Sequence, residues 1–413
     1  MDNKLIQKIE KIKFLGIPVG RRVYLPESVK IYAFGLRIGK FKRGAVKKKV
    51  IIKKEGKNKK EKEIIKDLNV DNLNIAVVCS GTLSNIAVCL NWLSYLRCHI
   101  SEENIFISMY ISERNDLRAI KQIFNNSRIV NVFYTGKPKN DYFDCVFCIE
   151  KYPKVLKVNE KKVLKYSEWL LDYIYSLKKF NVKFNRFMVT TRYNTLFEIF
   201  SDILSRNTLQ KLDIGNLLEI DKNFNISVSC VLDEAEYLNK MQLKQFITVH
   251  TQRISPDGIN LTKLWPNSYY NILLKKIKDK YPYIEIVQLG RNYEDDLNVD
   301  MNLSGKIGTE EEKVLLKNSL LHIDFDNDYV TLRELLTDKK SIVLFGPTSP
   351  ELYGFENNIN IRTNACTHPC EQVIKGWKKN CINQYANRSC MLSILPDNIF
   401  HLVCESLNGA EDE

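Results

Sequence analysis

The sequence predicts an α/β protein with two doubly wound halves, and three observations support this prediction. From Leu73 onward, short apolar segments alternate with longer amphipathic ones; turn-forming residues follow the apolar segments; and the same alternation begins again at Phe246. The 413 residues are 44% hydrophobic, which suffices for two or three domains. The predicted boundaries are 1–66 for an N-terminal extension, 70–243 and 244–395 for the two α/β domains, and 396–413 for a C-terminal helix and tail.

The first half begins with the apolar, β-rich segment Leu73–Cys79, followed by a short polar loop and an apolar helix. Further segments of the same kinds extend the series. We predict strands at 73–79, 104–111, 129–134 and 144–149 and helices at 85–96, 160–179 and 195–205.

The second half begins at Phe246, after a polar, helical-looking stretch at 233–244. Its strands and helices alternate in the same way, and the last helix is expected to pack back across the joint between the domains. We predict strands at 246–250, 284–289, 320–324 and 341–345 and helices at 267–280, 309–318 and 396–407.

The positive charge of the chain is concentrated at its N-terminus. The net charge is +13, yet residues 1–66 hold 21 Lys and Arg against 6 Asp and Glu, so the remainder is nearly neutral. This extension contains a repeat, since Ile12–Gly20 returns in similar form as Ile31–Gly39. Each copy is predicted to be a short strand bent at its glycines.

The segment from Lys40 to Lys66 holds 13 basic and 3 acidic residues. Such a segment is either a solvated linker or a surface for anionic lipid or an acidic protein. No nucleic-acid-reading motif accompanies it, so no nucleic-acid partner is expected. Neither a run of about 18 uncharged apolar residues nor a secretory signal is found. We therefore expect a cytoplasmic protein, with peripheral contact to the inner membrane face as an option.

A turn-rich loop follows the apolar strand Ser341–Phe345, with the sequence Gly346-Pro347-Thr348-Ser349-Pro350. Ligands of open α/β sheets bind beyond such strand ends. Glycine permits close backbone approach, and the Thr348 and Ser349 hydroxyls can bond phosphate oxygens. The loop therefore indicates a phosphate site, with a tight surface turn as the alternative.

Four of the eleven cysteines follow this loop closely, at Cys366, Cys370, Cys381 and Cys390. Four thiolates can surround one tetrahedral zinc or iron ion, and a reducing cytoplasm favours a metal over disulfides. Free thiols or disulfides are the alternative. With all four ligands from the protein, the metal would be structural.

Three segments together resemble a known family: Thr262–Pro266, Leu320–Asp324 and Phe345–Pro350 are similar to the C-terminal half of glycosyltransferase family nine, the ADP-heptose heptosyltransferases. The resemblance covers about residues 70–395 and implies the GT-B architecture, two facing Rossmann-like domains. The cysteine cluster just beyond the Phe-Gly-Pro-Thr loop resembles the autotransporter heptosyltransferase branch, whose members bind iron and assemble into rings. This second resemblance implies that the bound metal is iron rather than zinc. It also implies that the protein assembles into a homo-oligomer.

The resemblance implies inverting transfer of a sugar, heptose from ADP-heptose, to a protein serine or a surface glycan, with no catalytic metal. Lys263 matches the lysine that meets the donor diphosphate, and a cation there stabilises the departing charge. The matched donor-binding residues are Lys263, Asp326, Gly346, Pro347 and Thr348. The matched loop residues that approach sugar and acceptor are Gly81, Thr82 and Ser84.

The sequence departs from the family at three positions. Asn85 stands where the family has the aspartate that acts as general base, and an amide cannot accept that proton. Asp328 replaces a small residue and is expected to repel a donor phosphate, while Thr331 replaces a histidine. An active enzyme would then use another base, with Asp116, Asp141 and Asp144 as candidates. The alternative is a catalytically degenerate subunit that binds or scaffolds.

Overall fold

The computed structural model describes two α/β domains and a small N-terminal sheet. In the sheet of residues 8–42 and at residues 183–188, only the backbone is described. The other described residues are 68, 71–79, 81–100, 104–111, 117–124, 128–182, 201, 204–252, 261–292, 294–366, 369–372, 376–381 and 389–408.

Four antiparallel strands in the order β1-β2-β3-β4 form the N-terminal sheet. Each repeat copy spans the end of one strand and the start of the next, so it forms two paired strands rather than one bent strand. The pairing slips at the equivalent places, after Ile12 and after Ile31. Residues 43–67 lie outside the described part. The strands are β1 (Lys8–Phe14), β2 (Ile17–Tyr24), β3 (Ser28–Ala33) and β4 (Leu36–Lys42).

The first domain has a five-stranded sheet in the order β7-β6-β5-β8-β9, parallel except for the β8–β9 pair. Its central strand β5 is apolar because helices cover both faces. The strands are β5 (Leu73–Cys79), β6 (Ile105–Ile111), β7 (Val132–Thr135), β8 (Cys145–Ile149) and β9 (Pro153–Val158). The helices are α1 (Leu83–Cys98), α2 (Leu117–Ile123), α3 (Glu160–Tyr166) and α4 (Glu168–Met188).

The second domain has a six-stranded parallel sheet in the order β12-β11-β10-β13-β14-β15. Its strands are β10 (Phe246–His250), β11 (Glu285–Leu289), β12 (Met301–Asn302), β13 (His322–Phe325), β14 (Ser341–Phe345) and β15 (Ile359–Arg362). Its helices are α5 (Glu234–Lys240), α6 (Asn267–Lys280), α7 (Thr309–Asn318), α8 (Asp328–Leu336), α9 (Pro350–Tyr353), α10 (Ser389–Leu392) and α11 (Pro396–Asn408).

The predicted fold class is confirmed, because two largely parallel sheets with intervening helices are present. Two local predictions differ. The helix predicted at 160–179 is two helices, since Ser167 adopts an extended backbone between α3 and α4. Helix α11 packs on α6 and β14 of its own domain, not across the joint, and its buried side chains Ile399, Val403 and Leu407 join that domain's core. The helix predicted at 195–205 lies almost entirely outside the described residues.

An apolar cluster continues from the first domain into the second. Buried leucines of α7 and α8 belong to the same cluster as the β5 and α1 residues, and α8 contacts α1 directly. The contact brings the first turns of α1 and α8 together at the edge of the interdomain cleft. Among the described helices, none combines the length and the apolar character needed to cross a bilayer.

Candidate active site

A cleft of about 970 Å³ separates the two domains. Its walls come from loops that follow β5 and β8 in the first domain and β10, β13 and β14 in the second. These are carboxyl ends of parallel strands, where ligands of open α/β sheets bind. The cleft volume lies within the usual range for small-molecule sites, about 300–1,000 Å³.

Lys263 lies in this cleft, where the sequence analysis placed it. Its ammonium Nζ donates to Asp326 Oδ2 at 2.5 Å and to the Asp326 carbonyl oxygen at 3.0 Å. Burial raises the pKa of the Asp326 carboxyl, and the Lys263 charge opposes that rise. An ammonium has three N–H donors. Two of them hold Asp326, so the third is available for a ligand in the cleft.

The loop after β14 borders the same part of the cleft. A Cβ at Gly346 would lie 2.7 Å from Met391 Sδ and 3.0 Å from the Thr262 carbonyl oxygen, so a glycine is required. The Pro347 carbonyl accepts from the Glu371 amide at 3.2 Å, which fixes the turn. The Thr348 hydroxyl is buried beside Asp326 without a well-aligned hydrogen-bond partner among the described residues. This unsatisfied hydroxyl fits the predicted phosphate contact.

The loop before α1 faces the second domain across the cleft. Gly81 has φ +122°, and a Cβ there would lie 2.2 Å from Asn85 Nδ2. Thr82 and Asn85 are exposed and line the cleft. The predicted loop residues therefore line the same cleft as Lys263, Asp326 and Thr348, whereas Gly346 and Pro347 precede Thr348 and do not line it.

Asp328 makes a contact that the sequence analysis did not anticipate. Its Oδ1 accepts from the Ser84 amide at 3.0 Å and from the Ser84 hydroxyl at 2.6 Å. The same hydroxyl lies 2.8 Å from Thr331 Oγ1. The carboxylate thus interacts with the positive end of the α1 dipole and joins the two domains. Asp328 also lines the cleft, so the expectation that it repels a donor phosphate stays a prediction.

His250 lies on the cleft floor in a buried charge network. Its Nδ1 is 2.9 Å from Asp324 Oδ1, and its Nε2 is 3.2 Å from Glu294 Oε2, although the second contact lacks hydrogen-bond alignment. Burial lowers the pKa of His250, but Asp324 and Glu294 outweigh it and raise the pKa to about 10. His322 lies 3.1 Å from Asp324 on the other side, and burial lowers its pKa. A cationic and a neutral imidazole therefore share one carboxylate.

No protein-family profile matches the sequence, and no curated protein matches it significantly. Solved structures with a similar fold are found. A glycosyl transferase family 9 structure from Veillonella parvula DSM 2008 superposes with a TM-score of 0.53 at 13% identity, over 83% of this chain and 99% of that one. The chain has the fold of the family 9 glycosyltransferases. The E. coli ADP-heptose lps heptosyltransferase II gives a TM-score of 0.50 at 13% identity, over 82% of this chain and 99% of that one.

The family 9 fold confirms the predicted resemblance at the level of architecture. Within it, neither Asp141 nor Asp144 lines the cleft. Asp144 instead pairs with Lys162 at 2.8 Å and accepts from the Asn74 amide at 3.0 Å, so it is structural. Asp116 lies outside the described residues.

Several cleft residues escaped the sequence analysis, and four of them bear on the site proposed below. Glu150 and Lys151 directly follow strand β8. Ligands bind beyond such strand ends, so the reasoning used for the loop after Phe345 would also have found these two residues. Trp377 and Lys378 lie between Cys370 and Cys381, where no local pattern distinguishes them. All four line the cleft of the family 9 fold.

Of the four cysteines of the predicted metal site, Cys370 and Cys390 are buried, and Cys366 and Cys381 are half-buried. Burial raises the pKa of the Cys390 thiol to about 11, and Cys366, Cys370 and Cys381 each add to that rise. Over the described residues, no three His, Cys, Asp or Glu side chains are arranged as metal ligands. Residues 367–368, 373–375 and 382–388 lie outside the described part, and the metal stays a prediction.

Proposed function

We propose that this protein is an inverting glycosyltransferase that takes its sugar from a nucleotide-activated donor. The observation that carries the proposal is the position of Lys263 and Thr348 beside Asp326 in the interdomain cleft. A nucleoside diphosphate leaving group gains negative charge in the transition state. A lysine that is already held at this position lowers the activation free energy more than a lysine that must first move into place.

The finer assignment is heptose from ADP-heptose, with a protein serine or a surface glycan as acceptor. It is supported by the sequence resemblance and agrees with the fold, and it makes ADP the nucleotide expected to bind. The Gly81, Thr82 and Ser84 loop at the start of α1 would face the sugar and the acceptor hydroxyl from the first domain.

Inverting transfer requires a base for the acceptor hydroxyl proton, and Asn85 cannot serve. Among the first-domain residues seen to line the cleft, Glu150 is the only carboxylate. Its side chain is 53% exposed and pairs with Lys154 at 2.8 Å, so solvent and acceptor can reach it. We assign Glu150 as the general base.

Glu150→Gln is expected to lower kcat by about 10²-fold, because the amide keeps the shape but cannot accept a proton. KM for the donor should stay the same. Asp141→Asn is the matched control, since Asp141 is an exposed first-domain carboxylate away from the cleft. Equal turnover in Glu150→Gln and the wild type would exclude Glu150. Asn85→Asp in the Glu150→Gln background should restore part of the rate.

The second candidate function is a catalytically degenerate subunit that binds or scaffolds. The exposed Asn85 amide favours it, as does the use of Ser84 and Thr331 in a fixed interdomain contact with Asp328. In that case the sugar-facing loop would serve to join the domains and not to hold a substrate.

Release of nucleoside diphosphate from ADP-heptose and from other ADP-, UDP- and GDP-sugars distinguishes the two functions. Chromatography of the reaction mixtures detects the released nucleotide, with water or an added acceptor taking the sugar. A glycosyltransferase should release one nucleotide selectively. A degenerate subunit should release none, and Asn85→Asp should not change that result.

We also propose that Cys366, Cys370, Cys381 and Cys390 bind one structural iron or zinc ion. Four thiols suit a thiophilic metal, and the mutual pKa effect supports their closeness. When bound, the ion would cross-link the chain on both sides of Trp377. No step of the transfer requires it.

Changing Cys370 and Cys390 together to Ser should remove the metal and lower Tm by several degrees, because metal-binding free energy contributes to folding. Elemental analysis and thermal unfolding of the purified protein measure both effects. Cys98→Ser is the control, since Cys98 is an exposed free thiol at the end of α1. Wild-type protein that is fully folded with no bound iron or zinc would contradict the proposal.

Two partner proposals are supported by the sequence alone. Residues 1–66, with their excess of basic residues, are proposed to contact an anionic membrane surface, and the chain is proposed to assemble with itself. Deletion of 1–66 should abolish sedimentation with anionic vesicles, and unchanged sedimentation would contradict the first proposal. A monomer in analytical ultracentrifugation would contradict the second.

A further inference from the structure

The segment that carries Trp377 and Lys378 is fastened to the turn that carries Lys263. The Thr262 hydroxyl donates to the Trp377 carbonyl at 2.8 Å, and the Thr262 amide donates to the Lys378 carbonyl at 3.4 Å. Trp377 and Lys378, although distant in sequence, are therefore held against the residue that precedes Lys263. Both segments face the interdomain cleft.

Two ammonium groups lie close to the Trp377 ring. Lys263 Nζ is 5.9 Å and Lys378 Nζ is 5.5 Å from the ring centroid, both within cation–π range. Lys151 lines the same cleft from the first domain. Partial burial lowers the pKa of Lys378, the charges of Lys263 and Lys151 lower it further, and the Glu371 carboxylate opposes this change.

The nearby carboxylates leave this positive region only partly neutralised. Asp326 pairs with Lys263, and Glu371 is held by the Ser349 amide at 3.3 Å. Within the described residues, no carboxylate forms an ion pair with Lys378. Clustered like charges are unfavourable without an anion, and an anion carrying more than one charge relieves the repulsion best.

We propose that Lys378, supported by the Trp377 ring, is a second cation for the donor diphosphate beside Lys263, and that Lys151 reaches the same group from the first domain. The inference deepens the proposed function and rests on it. It makes Trp377 and Lys378 part of the donor site, so that the two phosphates are held by side chains from both domains.

Calorimetric titration of the full chain tests the proposal with ADP, UDP and GDP, each compared with its uncharged nucleoside. For the nucleotide that the wild type binds, Lys378→Met should raise Kd about tenfold or more, as expected for loss of a charge-assisted contact. Affinity for the nucleoside should not change. Lys378→Arg should restore most of the binding, and Lys151→Met should also raise the nucleotide Kd.

Lys379→Met is the matched control, because it removes the same charge from the next residue, which is exposed and does not line the cleft. Its Kd should equal that of the wild type. Nucleotide binding by the wild type with an unchanged Kd in Lys378→Met would overturn this inference alone, as would equal weakening by Lys378→Met and Lys379→Met. Failure of the wild type to bind any of the three nucleotides would overturn the proposed function together with it.

Discussion

Replacement of Lys263 by Met is expected to lower kcat for sugar transfer by about 10²–10³-fold, the usual cost of removing a preorganised charge from the site where negative charge develops. The side chain is only 13% exposed and is fixed by two hydrogen bonds to Asp326. No reorganisation is needed when the leaving diphosphate forms. Steady-state release of nucleoside diphosphate from the preferred sugar nucleotide measures the effect.

The Lys263 prediction needs a variant that separates chemistry from folding. Lys263→Met leaves the Asp326 carboxyl buried without its cation, but its already raised pKa lets it take up a proton. The double variant Lys263→Met with Asp326→Asn no longer has a buried carboxyl without a cation. It should be as inactive as Lys263→Met. Lys275→Met, on the exposed face of α6, should be fully active. A folded Lys263→Met variant with wild-type turnover would contradict the assignment.

Asp324→Asn is expected to destabilise the fold by about 3 kcal/mol, the cost of breaking a buried ion pair. Asp324 is fully buried and contacts His250 and His322 on either side. Neutralising it leaves His250 beside the poorly aligned Glu294 carboxylate and beside the uncharged Asn327 amide, which lies 3.0 Å from Nδ1. Denaturant unfolding at pH 7 measures the loss, and Asp279→Asn, on the exposed side of α6, should be close to neutral.

The same network predicts a pH dependence of stability. The pKa of His250 is raised in the folded protein to about 10, against about 6.5 in an unfolded chain. The contribution of His250 to the free energy of unfolding is therefore complete below about pH 6.5 and is lost as the pH rises towards 10. Asp324 has a lowered pKa, so its contribution is present above about pH 4 and is lost in acid.

Unfolding free energies at pH 7 and pH 10 test this coupling. The wild type should lose stability between the two values, and Asp324→Asn should lose much less because the pKa of His250 falls when its carboxylate partner is removed. Parallel losses in the two proteins would show that the His250 network is not the source of the pH dependence.

Regular elements of the fold were predictable because their signals are local. Strands β5, β10 and β14 and helices α6 and α7 match their predicted bounds, since apolar periodicity and turn residues mark them. Helix α8 was missed because Asp328 and Thr331 were considered only as departures from the family and not for helix formation. Asn327 would have indicated its start, since its side chain accepts from the Tyr329 amide at 2.7 Å and caps the helix.

Residues of the candidate site were predictable from the sequence only where a short motif contains them. Lys263 and Thr348 were found through short motifs, and both lie in the cleft. The partner of Asp328 was not predictable, because Ser84 is 244 residues away in the chain. Lys378 was missed for the same reason, since its relation to Lys263 arises from tertiary backbone contacts.

Binding of a nucleoside diphosphate tests the central claim most directly. Calorimetric titration of the full-length protein with ADP, UDP and GDP should show one site per chain, with selectivity for ADP and much weaker binding in Lys263→Met. Absence of binding by all three nucleotides to folded wild-type protein would contradict the glycosyltransferase account and favour a scaffolding subunit.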